Sequence, residues 1–203
     1  VVIGSHAADS FLAPRSIVIG DYAGRLNTIT ANTIIGSSAG SRNTSGNVTL
    51  LGNQAGLNNT TGTGHTFIGK FAGQSNTISN YNTALGFETL RDNTTGANNT
   101  AIGAGALQLH KFGDYNVAVG NSALLNDTSG IRNVAIGNEA SSQNKNGYDN
   151  ISIGAYALQN NSIGIKNIGI GSYTLNSSDG DSLNIAIGDS AGYSNNASSN
   201  IFI

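Results

Sequence analysis

Side chains able to do chemistry are scarce in this 203-residue chain, and they lie far apart. The three histidines are His6, His65 and His110, and there is no cysteine, so neither a thiolate metal site nor a disulfide framework can form. A metal site needs ligands that converge on one point. The nearest carboxylate pair is Asp179-Gly180-Asp181. It reads as a turn with solvated charges, because the glycine-rich nonapeptide that binds calcium is absent. Glu88 and Glu139 stand three repeat units apart, ~14 Å along a stack of strands, too far for the paired carboxylates of a glycosidase. Phe71, Tyr156 and Tyr173 are candidate surface contacts, able to stack on a sugar ring or on one another. The many glycines form no phosphate cradle, since no glycine-rich loop leads into a helix.

What positions these groups is a repeat. The glycine of a short apolar-Gly motif stands at Gly4, Gly20, Gly36, Gly52, Gly69, Gly86, Gly103, Gly120, Gly137, Gly154, Gly171 and Gly188. The steps are three of 16 and eight of 17, which makes twelve copies. Such a period means one structural unit stacked on itself. Residues 1–203 therefore read as a single continuous β-solenoid of about twelve coils. The first residues enter partway into a motif and Asn200-Ile201-Phe202-Ile203 starts another, so the expected context is a segment of a longer chain.

Count each copy from its glycine as zero. Position minus one is always aliphatic, from Ile3 and Ile19 to Ile187, and minus three is always β-branched, from Val1 and Ile17 to Ile185. Alternate residues of a strand share a face, and β-branched residues suit a pleated surface. The expectation is a strand whose minus-one and minus-three side chains enter the core. Minus two (Val2, Val18, Ile34, Leu50, Phe67, then mostly alanine) would face outward as an apolar stripe. Identical copies are the simplest cover for such a stripe. A glycine turn, a second shorter strand and an Asn/Thr/Gly turn would complete each coil.

Other columns support this coil. Plus three is nearly always alanine, and plus four is Gly in a block of early copies and Leu later. Asparagine columns run at plus seven (Asn27 to Asn195) and minus four (Asn32 to Asn184). Asn and Gly tolerate left-handed turns, and stacked amides can bond from rung to rung. His65 and His110 replace Asn in these two columns, whereas His6 sits at plus two. Phe71, Tyr156, Tyr173 and Tyr22 also occupy plus two. The first copy is the least regular, with Phe11, Leu12, Ala13 and the only proline, Pro14.

Composition excludes several functions. Charged residues are 10 % and the net charge is -2, so no basic patch is available for a run of phosphates, and nucleic acid is not an expected partner. No apolar run approaches the ~20 residues that span a bilayer. No cofactor, metal or catalytic residue is expected, and no cluster of charged residues on neighbouring rungs suggests a polysaccharide-acting enzyme. Ice binding is an alternative, resting on threonines at plus eight (Thr28, Thr44, Thr60, Thr77, Thr94) and minus three. It is disfavoured because minus three is expected to point inward and plus eight is broken by Lys111, Lys145 and Asp179. An end-to-end polymerising filament is another alternative.

Stretches such as Asn99-Thr100-Ala101-Ile102-Gly103, Asn116-Val117-Ala118-Val119-Gly120 and Asn133-Val134-Ala135-Ile136-Gly137 resemble the head repeats of YadA-like trimeric autotransporter adhesins. The longer unit, Asn82-Thr83-Ala84-Leu85-Gly86 with Leu90 and Asn93-Thr94-Thr95-Gly96, is similar to repeats of phage tail-fibre-like proteins. The resemblance covers the whole chain. It implies a left-handed parallel β-roll with three chains side by side. It also implies an extracellular adhesive or fibre module on a cell surface or virion, where a host receptor or glycan is the partner. The longer repeat and the large early side chains at minus two depart from the adhesin pattern.

Overall fold

The computed structural model describes residues 1–9 and 15–203. The irregular stretch of Phe11, Leu12, Ala13 and Pro14 lies outside the described residues. Thirteen short strands, from Val2–Ile3 to Ile201–Phe202, form one parallel sheet in chain order. Each pairs with the next in unbroken register, as in Thr83↔Thr100, Ala84↔Ala101 and Leu85↔Ile102. The chain is thus a parallel β-solenoid, one coil for each glycine motif.

Each coil has one strand, and the expected second strand is absent among the described residues. The backbone gives the reason. Plus two and plus four are both left-handed, for example Tyr156 (φ 60°) and Leu158 (φ 50°), so this side turns continuously instead of extending. Coil-to-coil hydrogen bonds still pass through it. Gly24 N–H donates to the Ala39 carbonyl at 2.8 Å, and Leu107 N–H to that of Ala123 at 3.0 Å. The motif glycines stack on one another. A Cβ on Gly103 (φ 122°) would lie 2.5 Å from the Gly120 carbonyl oxygen, which excludes any larger residue.

The strand faces are the reverse of the sequence expectation. Minus two points into the core: Val18, Ile34, Leu50, Phe67, Ala84, Ala101, Ala118, Ala135 and Ala186 are all buried. Minus one and minus three point outward, with Ile136 39 % exposed and Ile187 44 %. The cause is volume. Inside each coil, minus two meets plus four, and there is room for one large side chain from the pair. Where minus two is large, plus four is glycine: a Cβ on Gly56 would lie 2.8 Å from Leu50 Cδ2, and one on Gly73 2.5 Å from Phe67 Cδ2. At Ala84, Ala101 and Ala118 plus four is a buried leucine (Leu90, Leu107 and Leu124), whereas Ala135 is accompanied by Ser141 and Ala186 by Gly192. Plus four also meets the next coil's minus two, where Ser141 Oγ donates to Ser152 Oγ at 2.8 Å. A β-branched residue and an aliphatic one directed inward from every coil would overfill this space.

Beside the apolar core runs a polar one. Buried minus-four asparagines accept the next coil's backbone N–H, as Asn99 Oδ1 does from Asn116 at 2.8 Å. Their Nδ2 groups reach the carbonyl of a turn glycine, Asn116 to Gly130 at 2.8 Å and Asn150 to Gly164 at 2.8 Å. These bonds satisfy turn backbone that would otherwise be buried without partners.

Candidate functional surface

The sheet's outer face is the most extensive ordered feature of the surface. Leu51, Leu85, Ile102, Ile136, Ile153, Ile170 and Ile187 are exposed in one rank at minus one. The minus-three rank beside them holds Thr33, Thr49, Thr66, Thr83 and Thr100, then Val117, Val134, Ile151, Ile168 and Ile185, all half-buried. With parallel strands about 4.8 Å apart, twelve coils extend both ranks over ~58 Å. Association through the minus-two column, as expected from the sequence, cannot occur, because that column is inside the chain's own core.

The three candidate aromatics do not come together. Tyr156 and Tyr173 stack on adjacent coils, with ring centroids 5.0 Å apart and planes 15° apart, and Tyr193 adds a tilted neighbour at 6.4 Å from Tyr173. Between Tyr156 and Tyr173 each ring already covers a face of the other. Phe71 lies several coils away, tilted against Phe87 at 6.4 Å, with the Lys70 ammonium 4.8 Å above its ring.

Titratable groups have structural partners. His65 occupies its Asn position in the same manner as the amides: Nδ1 accepts Asn82 N–H at 3.2 Å and Nε2 donates to the Ser79 carbonyl at 2.8 Å. Its ring stacks on Phe67 at 4.6 Å. Burial pulls its pKa down from 6.5 to about 4, against the upward pull of those backbone contacts. Glu88 accepts Arg91 Nη1 at 2.9 Å, and Glu139 accepts Gln159 Nε2 at 2.8 Å. Asp179 accepts Ser162 N–H at 3.1 Å, a turn contact. Arg132 forks onto Asp149 at 2.6 and 3.0 Å, and this hydrogen bonding holds the Asp149 carboxyl below its ordinary range.

Several plus-eight threonines use their hydroxyls in half-buried bonds from coil to coil. Thr44 donates to the Thr60 carbonyl at 2.8 Å, Thr60 to Thr77 and Thr77 to Thr94, each at 2.9 Å. A surface groove of about 340 Å³ beside them is lined by Ile29, Thr30, Thr44 and Asn47, without an ionisable side chain. Among the described residues, no three His, Cys, Asp or Glu side chains gather where a metal ion could sit. No described helix is long and apolar enough to cross a membrane. No family model, curated protein or solved structure matches the chain.

Proposed function

We propose that this chain is a structural rod that associates side by side with copies of itself, in an extracellular adhesive or fibre module. The observation that carries the reading is the outward aliphatic rank at minus one, continued by Val and Ile at minus three from Val117 onward. At ~58 Å by ~10 Å the stripe approaches ~600 Å², the upper end of what a monomer ordinarily exposes. A second copy repeats the same contact at every coil, so a weak pairwise gain is multiplied along the rod. Trimeric, left-handed winding and display on a cell surface or virion follow the resemblance to adhesin head and phage fibre repeats. Receptor or glycan recognition would then lie on the surface left outside the association face.

Sedimentation of the intact chain tests the reading. A trimer is expected, with dissociation to folded monomers in Ile136→Asp/Ile153→Asp, which buries charge at two adjacent coils of every chain. A wild-type monomer at all accessible concentrations refutes it.

Ice binding gains support from one observation. The minus-three threonines from Thr33 to Thr100 stand outward on five successive strands, beside Ile35, Leu51, Ile68, Leu85 and Ile102. The outward direction removes one of the two objections to ice; the other, Lys111, Lys145 and Asp179 in the plus-eight rank, stands. Such a regular rank of hydroxyls and methyls could dock on ordered water. Thermal hysteresis that Thr66→Lys abolishes would favour this reading over self-association; its absence in the wild-type chain dismisses it.

A further inference from the structure

We propose that His110 and Asp127 form a buried imidazolium–carboxylate pair that fixes which coil follows which. They stand one period apart in the plus-seven column, and both are fully buried. From Asn27 to Asn93 in this column each later side chain gives its Nδ2–H to the earlier one. Asn43 donates to Asn27 at 3.3 Å, Asn59 to Asn43 at 2.6 Å, Asn76 to Asn59 at 2.8 Å and Asn93 to Asn76 at 3.2 Å. Asn144 continues the direction by donating to Asp127 Oδ2 at 3.2 Å.

At Asp127 the chain of donors must reverse, because a carboxylate has no N–H to give back to His110. The donor therefore comes from the imidazole. His110 Nε2 lies 2.7 Å from the Gly113 carbonyl, which only accepts, so Nε2 carries a proton. Nδ1 lies 3.7 Å from Asp127 Oδ1 and has no hydrogen-bond partner. In a neutral ring with its proton on Nε2, a bare lone pair would face a buried carboxylate. Both Asp127 oxygens already accept, Oδ1 from Gly130 N–H at 2.5 Å and Oδ2 from Asn144. A proton on Nδ1 replaces that lone pair with an N–H facing Oδ1 and gives the buried carboxylate its counter-charge. The side chains beside the pair are neutral amides: Asn144 donates to Asp127, and Asn99 places its Nδ2 3.5 Å from Nε2. Each charge is answered only by the other.

The consequence is register. In a chain of near-identical coils, a slip by one whole coil keeps every column in phase, and Asn then meets Asn as before. A slip that separates His110 from Asp127 leaves a buried charge uncompensated, among the costliest arrangements in a protein interior.

The test uses the full chain labelled with ¹⁵N. Imidazole nitrogen spectra at neutral pH should show both ring nitrogens of His110 protonated. His110→Asn should weaken hydrogen-exchange protection at Val117 and Val134 by ~100-fold or more, as expected when one partner of a buried pair is removed. His110→Asn/Asp127→Asn should recover most of that loss, because amides at both positions restore the ladder. It should also add a second set of strand resonances from slipped coils. A ring protonated only at Nε2, or a double variant no better protected than His110→Asn, overturns the ion pair. A single set of resonances in the double variant overturns the register role.

Discussion

The minus-two and plus-four columns make a quantitative prediction. Phe67 is fully buried, and the nearest plus-four residue is Gly73, whose Cβ would meet the phenyl ring at 2.5 Å. Phe67→Ala removes a whole aromatic side chain from the core and should cost ~3–5 kcal/mol. Gly73→Leu alone should also destabilise, by ~1–3 kcal/mol or more, because the new side chain has to displace the ring. Together the two changes convert this coil to the pattern of Ala101 with Leu107. Leucine there need adopt only the left-handed backbone already present at Gly73 (φ 57°), as Leu107 does (φ 51°) and Leu124 (φ 52°). The double variant should therefore lie within ~1.5 kcal/mol of wild type, the range for volume-conserving swaps. That leaves a favourable coupling of roughly 3 kcal/mol or more between the two sites, a size expected of contacting residues. Native-state hydrogen exchange at Thr66–Ile68 reads the local stability without assuming that the whole rod unfolds at once. A double variant no more stable than Phe67→Ala would refute the one-large-side-chain rule. So would a Gly73→Leu variant as stable as wild type.

Acid should weaken the rod through His65. Its folded pKa of about 4 lies below the unfolded 6.5, so in that window the unfolded chain binds the extra proton. The stability it contributes is complete above pH ~6.5 and is lost as the pH falls to ~4, by roughly 3 kcal/mol in all. Urea titrations of wild type and His65→Asn across this range check it; equal acid losses in both would refute it. The stacked glycines supply a controlled pair. Gly103→Ala and Gly188→Ala meet similar backbone, φ 122° and 123°, but only the first drives a methyl into a neighbouring carbonyl, since nothing lies within 4 Å at Gly188. Gly103→Ala should lower the thermal midpoint clearly more than Gly188→Ala, and equal shifts would remove the stacking explanation.

Much of the coil was legible because its columns are chemically distinct. The glycine period set the rung, β-branched residues around it set the strand, and the Asn columns marked side chains that bond from coil to coil. His65 and His110 were correctly read as occupants of Asn positions. The strand's phase was not legible from size alone. Minus one and minus two are both apolar, and the rule that larger aliphatics go inside fails where a coil of 16–17 residues closes on a narrow interior. A usable signal was nonetheless present. Gly24, Gly40, Gly56 and Gly73 accompany Val18, Ile34, Leu50 and Phe67, whereas Leu90, Leu107 and Leu124 accompany alanines. Residues that trade volume in this way touch each other, which places minus two inside. The second strand was misread because left-handed backbone at plus two is invisible in residues as varied as Tyr22, Ser38 and Glu139.

The two faces of the strand also change independently, and this separates folding from surface function. The inner pair switches from large-plus-glycine to alanine-plus-leucine between Phe67 and Ala84. The outer minus-three rank changes from Thr to Val or Ile only between Thr100 and Val117, two coils later. Inner volume therefore does not dictate the outer residue. The core closes within one chain, through the traded side chains and the buried amides, whether the outer rank carries hydroxyls or methyls. The minus-one aliphatics share that outer face and stand partly exposed beside the core. Exposed to water they lower solubility; covered by a second copy they stabilise an assembly at every rung.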